Sequence, residues 1–148
     1  MVQLYTWALA HPNQVDRIFW YDLMNDGTDN TQVEQNWGLV NNYSVGYTAK
    51  QSYVATCAMS SMLAGAKNGT TVNLGSGIYA YRFEKDDHYL MAVWTDGTAK
   101  SCTATLNGSM VVTDMFGNAT SYLNSAPLTL SEAPIYLEYG LHANPTIG

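Results

Sequence analysis

The rhythm of apolar positions changes twice along the chain. From Val2 to Ala10 they fall at helical spacing, with Leu4, Trp7 and Ala8 on one face, and the pattern stops at His11-Pro12-Asn13, where the residue before proline disfavours helix. A helix that opens this close to Met1 without an N-cap has the pattern of one continued from a longer chain. Arg17–Asp22 follows as a predicted strand. Its Ile18-Phe19-Trp20-Tyr21 core is a continuous apolar run between polar residues, the pattern of a strand covered on both faces. From Leu23 to Tyr47 the chain is polar and irregular, with Trp37-Gly38-Leu39-Val40 as its one apolar anchor. Connections of that length are as a rule functional or disordered, and the anchor predicts order. Thr48 is the predicted N-cap of a helix over Ala49–Ala66, which Gly65 and Lys67-Asn68-Gly69 end. Helix, strand, long loop and helix together spell a β/α unit.

Beyond Gly69 short runs of period two take over: Thr70–Leu74, Ile78–Glu84, Tyr89–Thr95, Ser101–Leu106, Met110–Asp114, Ala119–Leu123, Leu128–Ser131 and Ile135–Tyr139. The turn signals are Gly75-Ser76-Gly77, Asp86-Asp87, Asp96-Gly97, Asn107-Gly108 and Gly117-Asn118. Strands this short at this spacing predict an antiparallel β-sandwich of about seven or eight strands, with one face buried and the other semi-exposed. The expected fold is therefore mainly β, with one β/α unit over 1–67 leading into a sandwich over 68–148.

Composition narrows the chemistry. Charged residues are only 12% of the chain, so Asn, Thr, Ser, Gln and eleven Tyr must supply the polar surface. With four Trp, that surface suits neutral polar ligands such as sugars, and suits equally a β-rich extracellular protein that binds none. A net charge of −6 and six scattered basic residues exclude a phosphate-tracking nucleic-acid face. No apolar run approaches the roughly 20 residues of a membrane span, and no basic n-region of a signal peptide follows Met1. Cys57 and Cys102 lack metal-ligand spacing and are expected as buried free thiols rather than a disulfide.

The candidate ligand-binding residues are Trp20, Asp22, Asn25, Asp26 and Trp37. Trp20 offers a flat face for the C–H side of a pyranose and an indole N–H for a hydroxyl; the alternative is a core tryptophan. Asp22, Asn25 and Asp26 can accept sugar hydroxyls or join Asp29 around a cation; the alternative is a turn-capping cluster. Their spacing does not match a twelve-residue calcium loop. Asp22 and Glu34 are the nearest approach to a carboxylate pair, both at the loop end. His11, His88 and His142 stand alone, and no Gly-x-Ser-x-Gly elbow exists. The tyrosines at 79, 81, 89 and 136 fit either a polysaccharide-binding face or ordinary core packing.

Several stretches, taken in order, carry a resemblance. They are Ile18–Asp22 with Asn25-Asp26-Gly27, then Asn36–Val40, Thr48–Ala55 and Leu63–Ala66. Met91–Thr95, Val111–Asn118 and Pro134–Glu138 complete the set. From about residue 2 to 139 the chain is similar to the C-terminal end of a retaining (β/α)8-barrel glycoside hydrolase, of the clan that includes the β-xylosidase-like family thirty-nine. Ala49 and Gln51-Ser52 depart from the Lys-Pro-Ala-Tyr wording usual there. The resemblance implies the eighth barrel strand, its loop and helix, then a small sandwich. It implies action on β-linked plant-type polysaccharide or oligosaccharide, an extracellular or periplasmic setting and no cofactor. It places Trp20 in the floor under the sugar. The implied partners are carbohydrate and either the N-terminal barrel or a second copy of this chain.

The clan's acid/base and nucleophile glutamates follow the fourth and seventh strands, and retaining chemistry needs that pair about 5–5.5 Å apart. Both positions precede this chain, and Glu34, Glu84, Glu132 and Glu138 lie in no comparable motif. No catalytic residue is therefore assigned. The expectation is the non-catalytic C-terminal portion of such an enzyme. The alternatives are a free-standing carbohydrate-binding module, or a small glycosidase using Asp22, Asp26 or Glu34.

Overall fold

A computed structural model describes all 148 residues. Two helices, α1 (Val2–Ala10) and α2 (Gln51–Leu63), precede seven strands: β1 (Lys67–Thr71), β2 (Ile78–Glu84), β3 (His88–Thr95), β4 (Lys100–Thr113), β5 (Ala119–Leu130), β6 (Ile135–Gly140) and β7 (Thr146–Ile147). All pairings are antiparallel, in the order β1-β2-β3-β6-β4-β5 with β7 on β4. The chain is mainly β, as its periodicity predicts.

The sheet becomes sandwich-like because the β4–β5 ribbon bends. Met110–Thr113 of β4 pair with β6, whereas Ala104 and Thr105 pair with β7. Between the two halves the register slips, from Thr105 to Ser109. Gly108 at φ +139° and Asn124 at φ +64° meet there, the Gly108 N–H donating to Asn124 Oδ1 at 3.2 Å. Asn107-Gly108 is thus a bulge inside one long strand, not the hairpin turn its sequence suggests, and bulges bend and twist the strands that carry them. Pro127 does not break β5 either. Its partner Thr103 donates its N–H outward to Gly148, so the pair lacks ladder bonds, and β5 is an edge strand where a proline costs none.

The bend folds Ala104, Leu106, Leu128 and Leu130 over one face of β2, β3 and β6, against Ala80, Met91, Val93 and Leu137. The opposite face presents Tyr81, Phe83, Leu90, Ala92, Trp94 and Tyr136 to Val2, Ala10, Ala55 and Met59 of the helices. Three layers result, and β3 is apolar and buried on both sides rather than half-exposed as its neighbours' alternation suggests. Helix α1 meets the sheet through Val2, Thr6 and Ala10, one turn apart, and turns Leu4 outward. Helix α2 starts two residues later than expected, with Lys50 as its N-cap, because the Thr48 hydroxyl is taken by Asn41 Nδ2 at 2.8 Å. Both cysteines are free; Cys102 is half-buried, but Cys57 is exposed rather than in the core.

The predicted strand Arg17–Asp22 does not form. No main-chain group from Asp16 to Asp22 bonds to another main-chain group, and Phe19 is 86% exposed. An extended segment becomes a strand only beside another, and no neighbouring strand lies here. The helices pack on the sheet; this segment does not join it.

The β4–β5 turn shows how such a charge-poor chain uses a carboxylate. Asp114 accepts from Phe116 N–H, Asn118 N–H and Asn118 Nδ2 at 2.8, 2.9 and 2.7 Å, and Gly117 supplies the left-handed residue at φ +91°. Burial pushes the Asp114 carboxyl up, but the bonds from Asn118, Phe116 and Gly117 together hold it below the usual range. A depressed folded value stabilises above the unfolded pKa of about 4 and loses that contribution as pH falls through the folded value. Asp114→Asn should therefore lower the melting temperature at pH 6 and converge on the parent protein towards pH 3. Thermal melts across that range test it, and a difference independent of pH would refute it.

Candidate functional site

The Leu23–Lys50 loop is folded around Asn25, which is 3% exposed. Its N–H donates to Val40 O and its carbonyl accepts from Asn42 Nδ2, at 3.0 and 2.9 Å. Its side-chain Nδ2 donates to Asn36 Oδ1 at 3.1 Å. Its Oδ1 accepts from both Gly38 N–H and Lys50 Nζ at 3.0 Å. The Leu23 carbonyl takes the N–H groups of Leu39 and Val40, both at 2.9 Å. Gly38 is required by this closeness, since a Cβ there would sit 2.2 Å from Asn25 N. A buried amide with its groups matched in this way rigidifies a loop that has almost no apolar core.

That frame positions an aromatic cleft of about 670 Å³, whose walls include Leu4, Phe19, Trp20, Tyr21, Trp37 and Lys50. Tyr21 and Trp37 meet edge to face with ring centroids 6.1 Å apart. Trp20 and Trp37 are 41% and 49% exposed, so each shows a substantial part of its ring to solvent. Lys50 Nζ donates to Asn36 O at 2.7 Å as well as to Asn25, leaving one of its three donors for a ligand. The cleft thus pairs exposed indole surface with a fixed ammonium.

Of the residues singled out in the sequence, Trp20 and Trp37 come together here, and Trp20 is no core residue. Asp22, Asn25 and Asp26 do not line the cleft. Asn25 is committed to the loop's own hydrogen bonds. Asp26 Oδ2 accepts from Tyr21 OH at 2.7 Å, and that bond, with the charge of Asp26, pushes the phenol up. Asp22 follows a cis peptide bond and is half-buried, with Oδ1 lacking a hydrogen-bond partner. Asp29 caps its own turn, accepting from the Thr31 hydroxyl and N–H at 2.7 and 2.9 Å, bonds that lower its carboxyl. Glu34 lies exposed on the short helical turn Val33–Asn36.

The sequence reading missed Lys50 and Asn36 as cleft residues. A signal for Lys50 was present: it is the only basic residue between Arg17 and Lys67. Nothing comparable marks Asn36 in so asparagine-rich a stretch. No helix is long and apolar enough to cross a membrane.

The hub predicts a local rather than global defect. Asn25→Ala removes two acceptor bonds and one donor from buried groups, each unsatisfied group costing about 1–3 kcal/mol. Native-state amide exchange at Gly38 and Val40 should accelerate at least tenfold while Leu90 and Leu137 stay protected. Gly38→Ala should do the same. Unchanged exchange in both variants would show that Asn25 does not hold the loop.

No family model matches this chain, and no curated protein matches it. Among solved structures, a domain of unknown function from Vibrio parahaemolyticus aligns over 53% of this chain and 92% of its own, at 11% identity and a TM-score of 0.24. An RmlC-like cupin from Shewanella frigidimarina aligns over 53% and 78%, at 10% identity and a TM-score of 0.22. Drosophila melanogaster CENP-C bound to CAL1 aligns over 62% and 89%, at 8% identity and a TM-score of 0.22. Likeness at this level carries no inference about function.

Proposed function

We propose that this chain is the non-catalytic C-terminal portion of a glycoside hydrolase acting on β-linked saccharides, with the Trp20–Trp37 cleft forming part of its carbohydrate-facing surface. On this reading residues 1–67 are the end of the seventh helix, the eighth strand and the eighth helix of a barrel. The observation that carries it is the segment from Asp16 to Asp22. It is aromatic and open to solvent, and its main chain bonds to nothing. Water-exposed strand edges with apolar side chains are a liability that folded proteins cover. A strand whose neighbours belong to another part of a barrel accounts for both the missing ladder and the exposed rings. The cleft supports the same reading: indole faces flanked by neutral polar groups and one ammonium suit pyranose rings and their hydroxyls.

The test is titration of the chain with xylo- and cello-oligosaccharides, followed by tryptophan fluorescence, beside hydrolysis of a panel of aryl β-glycosides. Binding without turnover is expected, with Trp20→Ala and Trp37→Ala each lowering affinity about tenfold, or about 1.4 kcal/mol. Turnover abolished in an Asp22→Ala/Asp26→Ala/Glu34→Ala variant would replace this reading with that of a small enzyme. Binding untouched by either tryptophan substitution would remove the cleft from it.

A further inference from the structure

A second aromatic groove, of about 530 Å³, opens where the N-terminal half of α1 crosses β2 and β3, and it shares only Leu4 with the cleft described above. Trp7 of α1 and Tyr79, Tyr81 and Trp94 of the sheet line it. The Tyr79 and Trp94 rings are stacked, 5.9 Å apart and 23° from parallel, and Trp94 and Tyr81 lie 5.4 Å apart. Trp94 and Tyr81 are each 5% exposed and form a floor, whereas Tyr79 is 45% exposed and offers its ring as a wall.

One end of the groove is acidic. Asp96 and Glu132 line it, and neither forms an ion pair, since the chain's ion pairs engage Asp16, Asp86, Asp87 and Glu138 instead. No basic residue lines the groove. Lys100, at the start of the following strand, donates its ammonium to Ser76 O at 2.6 Å. Both carboxylates lie against glycines with positive φ. A Cβ on Gly77 (φ +70°) would meet Asp96 Oδ2 at 2.8 Å, and one on Gly97 (φ +120°) would meet Glu132 Oε1 at 3.3 Å. Gln3 Nε2 ties the Glu132 main chain to α1 at 2.6 Å, fixing the acidic end to the aromatic wall.

Ring faces are negative at their centres, so aromatic walls and unpaired carboxylates attract the same kind of guest. An anion is repelled by both, and a neutral ligand gains the stacking alone. We propose that the Trp7–Tyr79–Trp94 groove binds a small organic cation, its quaternary or protonated ammonium group lying over Tyr79 and facing Asp96 and Glu132. The site is independent of the saccharide reading and stands or falls without it.

Choline and its uncharged isostere 3,3-dimethylbutan-1-ol are the probes, titrated into the 148-residue chain at constant ionic strength. The readout is the indole N–H resonances of Trp7 and Trp94 and the amides of Tyr79 and Asp96. Choline should shift these resonances and leave the Trp20 and Trp37 indoles unmoved, with the isostere at least tenfold weaker. Asp96→Asn/Glu132→Gln keeps shape and removes charge, and should cost about tenfold in choline affinity; Tyr79→Ala should cost a similar factor. Equal affinity for choline and the isostere, or full affinity in the charge-neutralised variant, would overturn the proposal. So would cellobiose moving these resonances when choline does not, which would make the groove a saccharide site.

Discussion

The rest of the structure depends on one constraint: β3 is apolar on both faces and must be covered on both. Leu90, Ala92 and Trp94 look one way and Met91 and Val93 the other, and none of the five is more than 5% exposed. At about 25 cal/mol per Å² of apolar surface removed from water, neither face can be left wet. The chain meets the demand twice, by different means. Helices α1 and α2 cover the first face, and the bent β4–β5 ribbon covers the second. The bulge at Gly108 follows from this constraint, because a straight ribbon would extend past the sheet and leave Met91 and Val93 bare. The helices depend on it too, since α1 carries few groups of its own to bury beyond Val2, Thr6, Ala8 and Ala10.

The same physical rule, applied to Ile18–Tyr21, has the opposite outcome. The local pattern matches that of β3: a short apolar run bounded by polar residues. What differs is the surrounding chain. β3 has its hairpin partner β2 a few residues away on one side, and on the other β6, which returns to it after the β4–β5 ribbon. Ile18–Tyr21 is flanked by a helix and a long loop, and a parallel neighbour would need a crossover that the described chain does not contain. Periodicity reports how a strand would be buried, but not whether the neighbours exist.

This explains what was legible. Helix α1 and strands β2 and β3 could be read almost to the residue, because helix stop signals and hairpin spacing are local. β4 and β5 were each split in two, because Asn107-Gly108 and the stretch before Leu128 carry real turn chemistry that the long ribbon overrides as a bulge and an edge proline. β7 is two residues long and is defined by its partner Ala104–Thr105 rather than by any pattern of its own. Of the cleft, the tryptophans were legible and their geometry was not. Asn25 was singled out for its polar chemistry, yet its role depends on being reached by Asn36, Gly38, Asn42 and Lys50, contacts that no sequence spacing encodes.

Lys50 shows how the cleft's electrostatics follow from that same frame. It stands at the N-cap of α2, where the helix macrodipole disfavours a cation. No carboxylate compensates it; its recorded partners are an amide oxygen and a main-chain carbonyl. Neutral acceptors hold the ammonium in place without cancelling its charge, so the field it projects into the cleft remains available to a ligand's oxygen atoms. The groove on the far side of Leu4 is its converse, with carboxylates held near aromatic rings and no base to neutralise them. In a chain with only six basic residues, where those few are placed decides what each surface can attract. The two concavities that α1 helps to build therefore differ in the charged groups that line them, a single ammonium in one and two carboxylates in the other.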